Sequence, residues 1–496
     1  MVVRSTVCSN RPHVAARSLK AASTDYNITL PEEESSAGST AALFRSSSVS
    51  VPQSPEKALL RRLEAPFLEC LQNASVCSRR SVFVVIGPRK SGMHTFFEQV
   101  VPDAPRVNFA DEGARMDAED APRTFFARYA ALPMLVLYNV HLVPALARLI
   151  VSEAGRMHEG SVLAAPKIVI MGSSVRLPEL ETAAESNSNV RMFRMRTLSQ
   201  GEITGGGHDF LERLRLLDFP SVVSYNESNR DLILSQAMRG GYPSGRDGTP
   251  DERHDFFHDL IREICRLDLP SVSPLKNPLL LRKVYRMVGA VSGESVNLTH
   301  IAEVLGIGRP FAKHCLETLE RLCLVDRIAV WPGSLAFERG VRSPKYVVAD
   351  SGWLCGLLGF CSTAPCVISS DHPEDVRRLL TTWTWAQLAT LTDNARDLHL
   401  WHFALRTGLS IDLILEDAKT GSLTAFQVST RENVTENDFG ALVKFRELVK
   451  DREVQNVLLY CGQSIRRFDS IGVAVPMAFL WLWKVFRGSS SPVSFR

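Results

Sequence analysis

The sequence predicts an α/β fold: a parallel sheet built on a strand–glycine loop–helix unit, then a helix-turn-helix, then a second, smaller α/β domain. Three observations predict it. Short apolar runs rich in β-branched residues at 82–86, 134–138 and 168–171 suit strands buried in a parallel sheet. Two helical apolar stripes flank Gly306 between residues 298 and 322. Residues 400–481 then read as short strands around one helix. At about 150 residues per domain, 496 residues suggest three domains. The 45% apolar and 22% charged content is that of an ordinary globular chain and excludes a wholly disordered or collagen-like one.

Residues 1–55, rich in Ser, Ala and Arg around Glu32-Glu33-Glu34, bury too little apolar area to offset ordering entropy, and a disordered tail is expected there. The first 24 residues carry Arg4, Arg11, Arg17 and Lys20 and no acid, which suits a transit peptide; a non-native start is the favoured reading. The late apolar stretch from Val473 to Phe486 is shorter than the roughly 20 residues of a spanning helix and contains Pro476 and Lys484, so no membrane span is expected. Ten cysteines without C-x-x-C or zinc spacing read as reduced core thiols of a cytoplasmic protein. The net charge of +3 makes no global case for nucleic acid or anionic membrane.

Residues 58–71 show helical spacing. The run Arg80-Ser-Val-Phe-Val-Val-Ile-Gly-Pro-Arg-Lys-Ser-Gly-Met-His-Thr follows. Strand, glycine loop and helix form the setting of a phosphate-binding loop. Gly87 and Gly92 have the right spacing, with Pro88, Arg89 and Lys90 between them. Such a loop then needs Lys, to meet the β- and γ-phosphates, and Ser or Thr, to hold magnesium. Met93 and His94 stand there, and Thr95 comes one residue late. Taken alone, the glycine pair is more often an ordinary strand–helix turn.

The weighing changes with Pro133-Met-Leu-Val-Leu-Tyr-Asn-Val-His141, Lys167-Ile-Val-Ile-Met-Gly-Ser-Ser174, Arg194-Met-Arg-Thr-Leu-Ser-Gln-Gly-Glu202 and Arg239-Gly-Gly-Tyr-Pro243. In this order they resemble the prokaryotic, archaeal-type AAA ATPase family with a winged helix and a C-terminal restriction-endonuclease-like domain. The resemblance covers roughly residues 55–485. It implies Asp and Glu after the second strand, where Tyr138 and Asn139 stand, and a Gly-Arg that is Ser188-Asn189 here. Losing the lysine, hydroxyl, acids and arginine removes most of the electrostatic stabilisation that phosphoryl transfer needs.

In the middle, Leu298–Leu305 and Arg309–Leu322 form the two helices, with Pro310 in a first turn where it is tolerated. Strands at 325–331 and 346–349 form a wing. Arg309, Lys313, His314, Arg342 and Lys345 are the DNA-contact candidates. Residues 296–350 hold seven Lys/Arg and six Asp/Glu, which favours a structural or protein-contact role over strong DNA binding.

The family's last domain is similar to PD-(D/E)xK nucleases, and the resemblance implies Glu-Val-Asp, Glu-x-Lys and helix glutamates. Ser410-Ile411-Asp412, Gln427-Val428-Ser429, Thr381 and Gln387 stand in those places. Asp412 is a vestige, a surface or hydrogen-bonded strand residue rather than a metal ligand. His399 and His402 are expected to bracket a strand, not to bind metal.

The expected organisation is a tail to 55, a degenerate AAA-type domain at 56–245, a helical lid at 246–295, a winged helix at 296–360, a nuclease-like domain at 361–486 and a tail at 487–496. The expected function is that of a non-catalytic relative with no catalytic or metal residues. It binds nucleotide weakly at most, through Gly87, Pro88, Arg89, Lys90, Gly92 and Thr95, with ATP as the implied cofactor and no supported magnesium site. It acts through a protein partner, weak DNA contacts or self-association, with no membrane. The alternatives are an ATPase using the displaced Lys90 and Thr95, and a winged-helix DNA-binding regulator.

Overall fold

Five parallel strands make the first sheet: β1 (Ser81–Ile86), β2 (Arg106–Asn108), β3 (Met134–Tyr138), β4 (Ile168–Ser173) and β5 (Val190–Arg194), in the order β2-β3-β4-β1-β5. In this computed structural model the described residues are 59, 61–76, 80–154, 166–206, 210–216, 230–275, 277–333, 337 and 340–481. The expected terminal tails lie outside them. Every residue of β1 and β4 is buried, as continuous apolar runs require when helices cover both faces. One face packs Phe67, Phe83, Phe96, Phe97 and Phe193, with edge-on ring pairs around Phe67. The architecture is a mixed α/β one in which the inner strand β1 runs into a glycine loop and a helix.

The first helix spans Glu64–Val76, later than the spacing at 58–71 suggests, because residues 62–63 form a turn that feeds it. The second apolar run ends as a strand at Tyr138; Asn139, at φ 56°, breaks it, and His141 falls in a short helical turn. Helix Pro250–Leu267 starts with a capping box, Thr249 against Glu252, and proline in its first turn. The paired helices form at Leu298–Leu305 and Arg309–Arg321, joined through Gly306 at φ 63°.

Strands β6 (Val325–Ile328) and β7 (Lys345–Val348) pair antiparallel. Beyond β6, Val330 bridges His402, and Gly340 bridges Leu405, so this hairpin continues onto the edge of the second sheet. That sheet comprises β8 (Leu398–Ala404), β9 (Ser410–Asp417), β10 (Leu423–Val428), β11 (Val454–Tyr460), β12 (Arg466–Phe468) and β13 (Gly472–Pro476), ordered β12-β13-β11-β10-β9-β8. Helix Pro373–Thr392 packs against β8 and β10. One apolar core runs from Val82 of β1 to Trp481.

A polar knot joins the first sheet to the β6–β7 hairpin and to the end of helix Pro373–Thr392. Arg194 and Arg196, at the end of β5, both pair with the buried Asp326 of β6. Arg196 also grips Asp393, and Trp385 donates its indole N–H to Asp326 at 3.0 Å. Burial pushes the Asp326 carboxyl up, but the two guanidiniums hold it well below the carboxylate range. The glycine pair at 240–241 has a packing reason. A Cβ on Gly241 would lie 2.1 Å from the Leu198 carbonyl oxygen, and Gly241 N–H donates to Asp350 at 2.9 Å.

Candidate functional site

Where β1 ends, the chain turns through Pro88 to Gly92 into helix Met93–Val100. The glycines have local reasons to be there. A Cβ on Gly87 would sit 2.1 Å from the Met195 carbonyl oxygen, and Gly92 adopts φ 96°. The loop borders a cavity of about 310 Å³, at the small end of ligand pockets, whose lining includes Lys90, Thr95, Asn139, Ser174 and Pro243.

The loop's cations are already paired. Arg89 makes a bidentate contact to Asp268, Nε–Oδ2 2.7 Å and Nη2–Oδ1 2.5 Å, just after helix Pro250–Leu267. Glu263 on the same helix lies 3.3 Å from Arg89 Nη1 and 2.7 Å from Lys90 Nζ. Two carboxylates of the chain thus stand where a phosphate-binding loop would present its charge to a ligand. Asp268 also accepts from His141 Nε2 at 2.9 Å, and His141 Nδ1 lies 3.2 Å from Ser173 Oγ at the end of β4. The Ser173 hydroxyl donates its one proton to the Val175 carbonyl oxygen at 2.7 Å. Burial pushes the Asp268 carboxyl up, but its bonds to Arg89 and His141 bring it below its ordinary value.

The remaining positions are filled by packing. Met93 lies against β4, where a Cβ on Gly172 would come within 2.7 Å of its sulfur. His94 stacks on Tyr138, with centroids 3.9 Å apart and planes 9° from parallel. Burial lowers the His94 pKa, with Glu98 opposing and Arg89 adding. Asn139 donates to Asn108 at 2.7 Å. Thr95 is exposed. Among the described residues that line the cavity there is no Asp or Glu, so the donor set does not fit a magnesium nucleotide. A phosphate would first have to displace Glu263 from Lys90.

The positions at which the resemblance implies nuclease chemistry make structural contacts. Asp412 is buried in β9 rather than on the surface. It accepts from Val428 N–H at 2.9 Å and from Arg377 Nη2 at 3.1 Å. Lys345 Nζ reaches Ser410 Oγ at 3.4 Å. The oxygen of Gln387 accepts from Gln200 N–H at 2.7 Å, Thr381 is buried, and Ser429 Oγ accepts from Arg431 N–H at 3.3 Å. Two cations beside one aspartate do not fit a divalent metal. Among the described residues no cluster of three or more His, Cys, Asp or Glu is placed to hold one. His402 is buried in β8, and His399 is exposed.

The DNA-contact candidates are dispersed. Arg309 and Arg342 are exposed; Lys313 pairs with Glu317 at 3.4 Å; His314 Nε2 lies 2.8 Å from Ser273 Oγ; Lys345 turns toward β9. Sequence reasoning missed Glu263, Asp268 and His141. Their one signal was acids closing a helix 170 to 180 residues after the loop, which no motif spacing marks.

Residues 230–364 match a domain family of unknown function, DUF8612. No curated protein matches the chain. Among solved structures, a Walker-type ATPase of Pyrococcus abyssi is similar over 60% of this chain and 94% of its own, at 11% identity and TM-score 0.36. A RuvB variant of Thermotoga maritima covers 53% and 88%, at 13% identity and TM-score 0.26. A STAND signal-transduction ATPase of Pyrococcus horikoshii with a tetratricopeptide repeat sensor covers 63% and 44%, at 11% identity and TM-score 0.18. At such TM-scores these likenesses decide nothing about what this chain does. Among the described residues no helix is long and apolar enough to cross a membrane.

Proposed function

We propose that this chain is a non-catalytic relative of the AAA-type P-loop ATPases, binding nucleotide weakly at most and working through contacts with a protein partner. The observation that carries the reading is the pairing of Arg89 and Lys90 with Asp268 and Glu263. The acids neutralise the loop's cations internally and fix the following helices onto it, so the site serves as a fastening rather than a reaction centre. The helix pair with its hairpin is read as a winged helix, and the second sheet as a nuclease-like domain without its chemistry. Titration of the full chain with fluorescent ATP, with and without magnesium, tests the reading. Weak, magnesium-independent binding without hydrolysis is expected. Magnesium-dependent turnover that vanishes in Gly92→Asp would establish the ATPase alternative through Lys90 and Thr95.

The DNA-regulator reading is favoured only by the exposure of Arg309 and Arg342. Anisotropy of labelled duplex across a salt series should show weak binding with a shallow slope. Tight binding at physiological salt, lost in Arg309→Ala with Arg342→Ala, would place that reading first.

A further inference from the structure

Helix Ser351–Leu357 ends in a turn that brings two thiols together. Its sequence is Cys355-Gly-Leu-Leu-Gly-Phe-Cys361. Gly359, at φ 82°, reverses the chain. Gly359 N–H then bonds the Gly356 carbonyl at 3.1 Å and Phe360 N–H bonds the Cys355 carbonyl at 3.0 Å. This paired closure of a helix end returns the following residue to the last turn. Because Gly356 has no side chain, Cys361 fits beside that turn, its sulfur 3.5 Å from where a Cβ on Gly356 would be. Cys355 and Cys361 therefore stand at the same helix end, each acting on the other's thiol.

The two sulfurs are unlike. Cys355 is buried, whereas Cys361 is half-buried and faces His254 and Arg253 on helix Pro250–Leu267. Arg253 also donates to the Cys361 carbonyl at 3.5 Å. The hydrogen bond from Cys355, with the charges of His254 and Arg253, brings the Cys361 thiol down to about 7. Its hydrogen bond to Cys361 and burial hold Cys355 well above its ordinary value. An accessible thiolate beside a protected thiol is the arrangement of an attacking and a resolving cysteine.

We propose that Cys355 and Cys361 form a reversible disulfide, which makes this turn a redox-modification site. The oxidant is a small disulfide such as oxidised glutathione. The Cys361 thiolate attacks one of its sulfurs, forming a mixed disulfide and releasing one glutathione thiolate, which takes a proton from water. The Cys355 sulfur then attacks Cys361 Sγ, and its proton passes to the second departing glutathione. Two electrons and two hydrogens leave the protein and reduce one oxidised glutathione to two reduced molecules. The site borders the same helix that carries Glu263 near its other end.

The full chain is equilibrated in buffers of reduced and oxidised glutathione, trapped with N-ethylmaleimide and digested. The tryptic peptide Tyr346–Arg377 also contains Cys366, so fragmentation must locate the bond. The expected result is loss of two hydrogens with Cys355 joined to Cys361, retained in Cys366→Ser and reversed by reduced glutathione. The exposed Cys366 can be replaced without touching the core. A bridge from Cys361 to Cys366, a glutathione adduct on Cys361 that never resolves, or three fully alkylated thiols at the oxidising end would each overturn the proposal.

Discussion

Replacing Asp268 with Asn keeps the shape of the side chain and removes the charge that holds Arg89. The carboxylate is 1% exposed and its guanidinium partner 11%, so the contact is shielded from solvent. Breaking one side of a buried pair costs about 3–5 kcal/mol. Glu263 still faces Arg89 at 3.3 Å, which puts the expected loss near the lower end, about 3 kcal/mol. At roughly 2 °C per kcal/mol for a large unit, the Tm should fall by about 6 °C. The sign with pH follows from the Asp268 carboxyl, which lies below its ordinary value when folded. Its contribution is complete above the unfolded value of about 3.9 and disappears as pH falls through the folded one, so the two proteins should converge at acid pH. The same change leaves Arg89 seeking an anion. A charge-assisted hydrogen bond contributes about 1.5–3 kcal/mol, so ATP should bind about tenfold tighter or better, with or without magnesium. Thermal unfolding from pH 3 to 8 and fluorescent-nucleotide titration read both effects. Lower stability without tighter nucleotide binding would reduce Asp268 to an ordinary buried ion pair. Unchanged stability as well would refute the fastening altogether.

Met93→Lys with His94→Thr should raise ATP affinity in titration without measurable phosphate release, because Tyr138 and Asn139 still supply no carboxylate. Gly241→Ala should cost more than about 3 kcal/mol in chemical denaturation, since the new Cβ meets the Leu198 carbonyl and the backbone must give way. Burial, with Lys345 adding, holds His402 down to about 3. The unfolded chain therefore takes up a proton below about 6.5 that the folded chain refuses, and stability falls by roughly 1.4 kcal/mol per pH unit toward pH 3. His402→Phe should flatten that slope. Asp412→Ala should lose about 1–3 kcal/mol by leaving Val428 N–H and Arg377 without their acceptor, and should leave DNA uncut in magnesium or manganese, as in the parent.

Local pattern carries local structure, and the elements that were legible show where it stops. The uninterrupted apolar run of β1 needs only its own residues to be read as a buried parallel strand, and helix Leu298–Leu305 needs only its stripe and Gly306. β2 and β12 are three residues each, stabilised by a neighbouring strand rather than by periodicity, and leave no such trace. Met93, His94, Tyr138 and Asn139 could be singled out because each sits at a fixed offset from a strand or a glycine. The acids that occupy the loop instead were not visible. Arg89 and Asp268 are 179 residues apart, and only the packing of helix Pro250–Leu267 over the loop brings them together.

The retained motifs make the same point from the other side. Gly87, Gly241, Arg194 and Arg196 all stand in the segments that carry the family resemblance. In the fold each has a local mechanical reason: a backbone carbonyl 2.1 Å from a Cβ position for the glycines, and a shared buried Asp326 for the arginines. Replacing the arginines would leave Asp326 buried without its two cations at the junction between the first sheet and β6. An unpaired charge in the glycine loop would cost desolvation. Asp268 and Glu263 turn the cations Arg89 and Lys90 from such a liability into a fastening between the loop and the end of helix Pro250–Leu267.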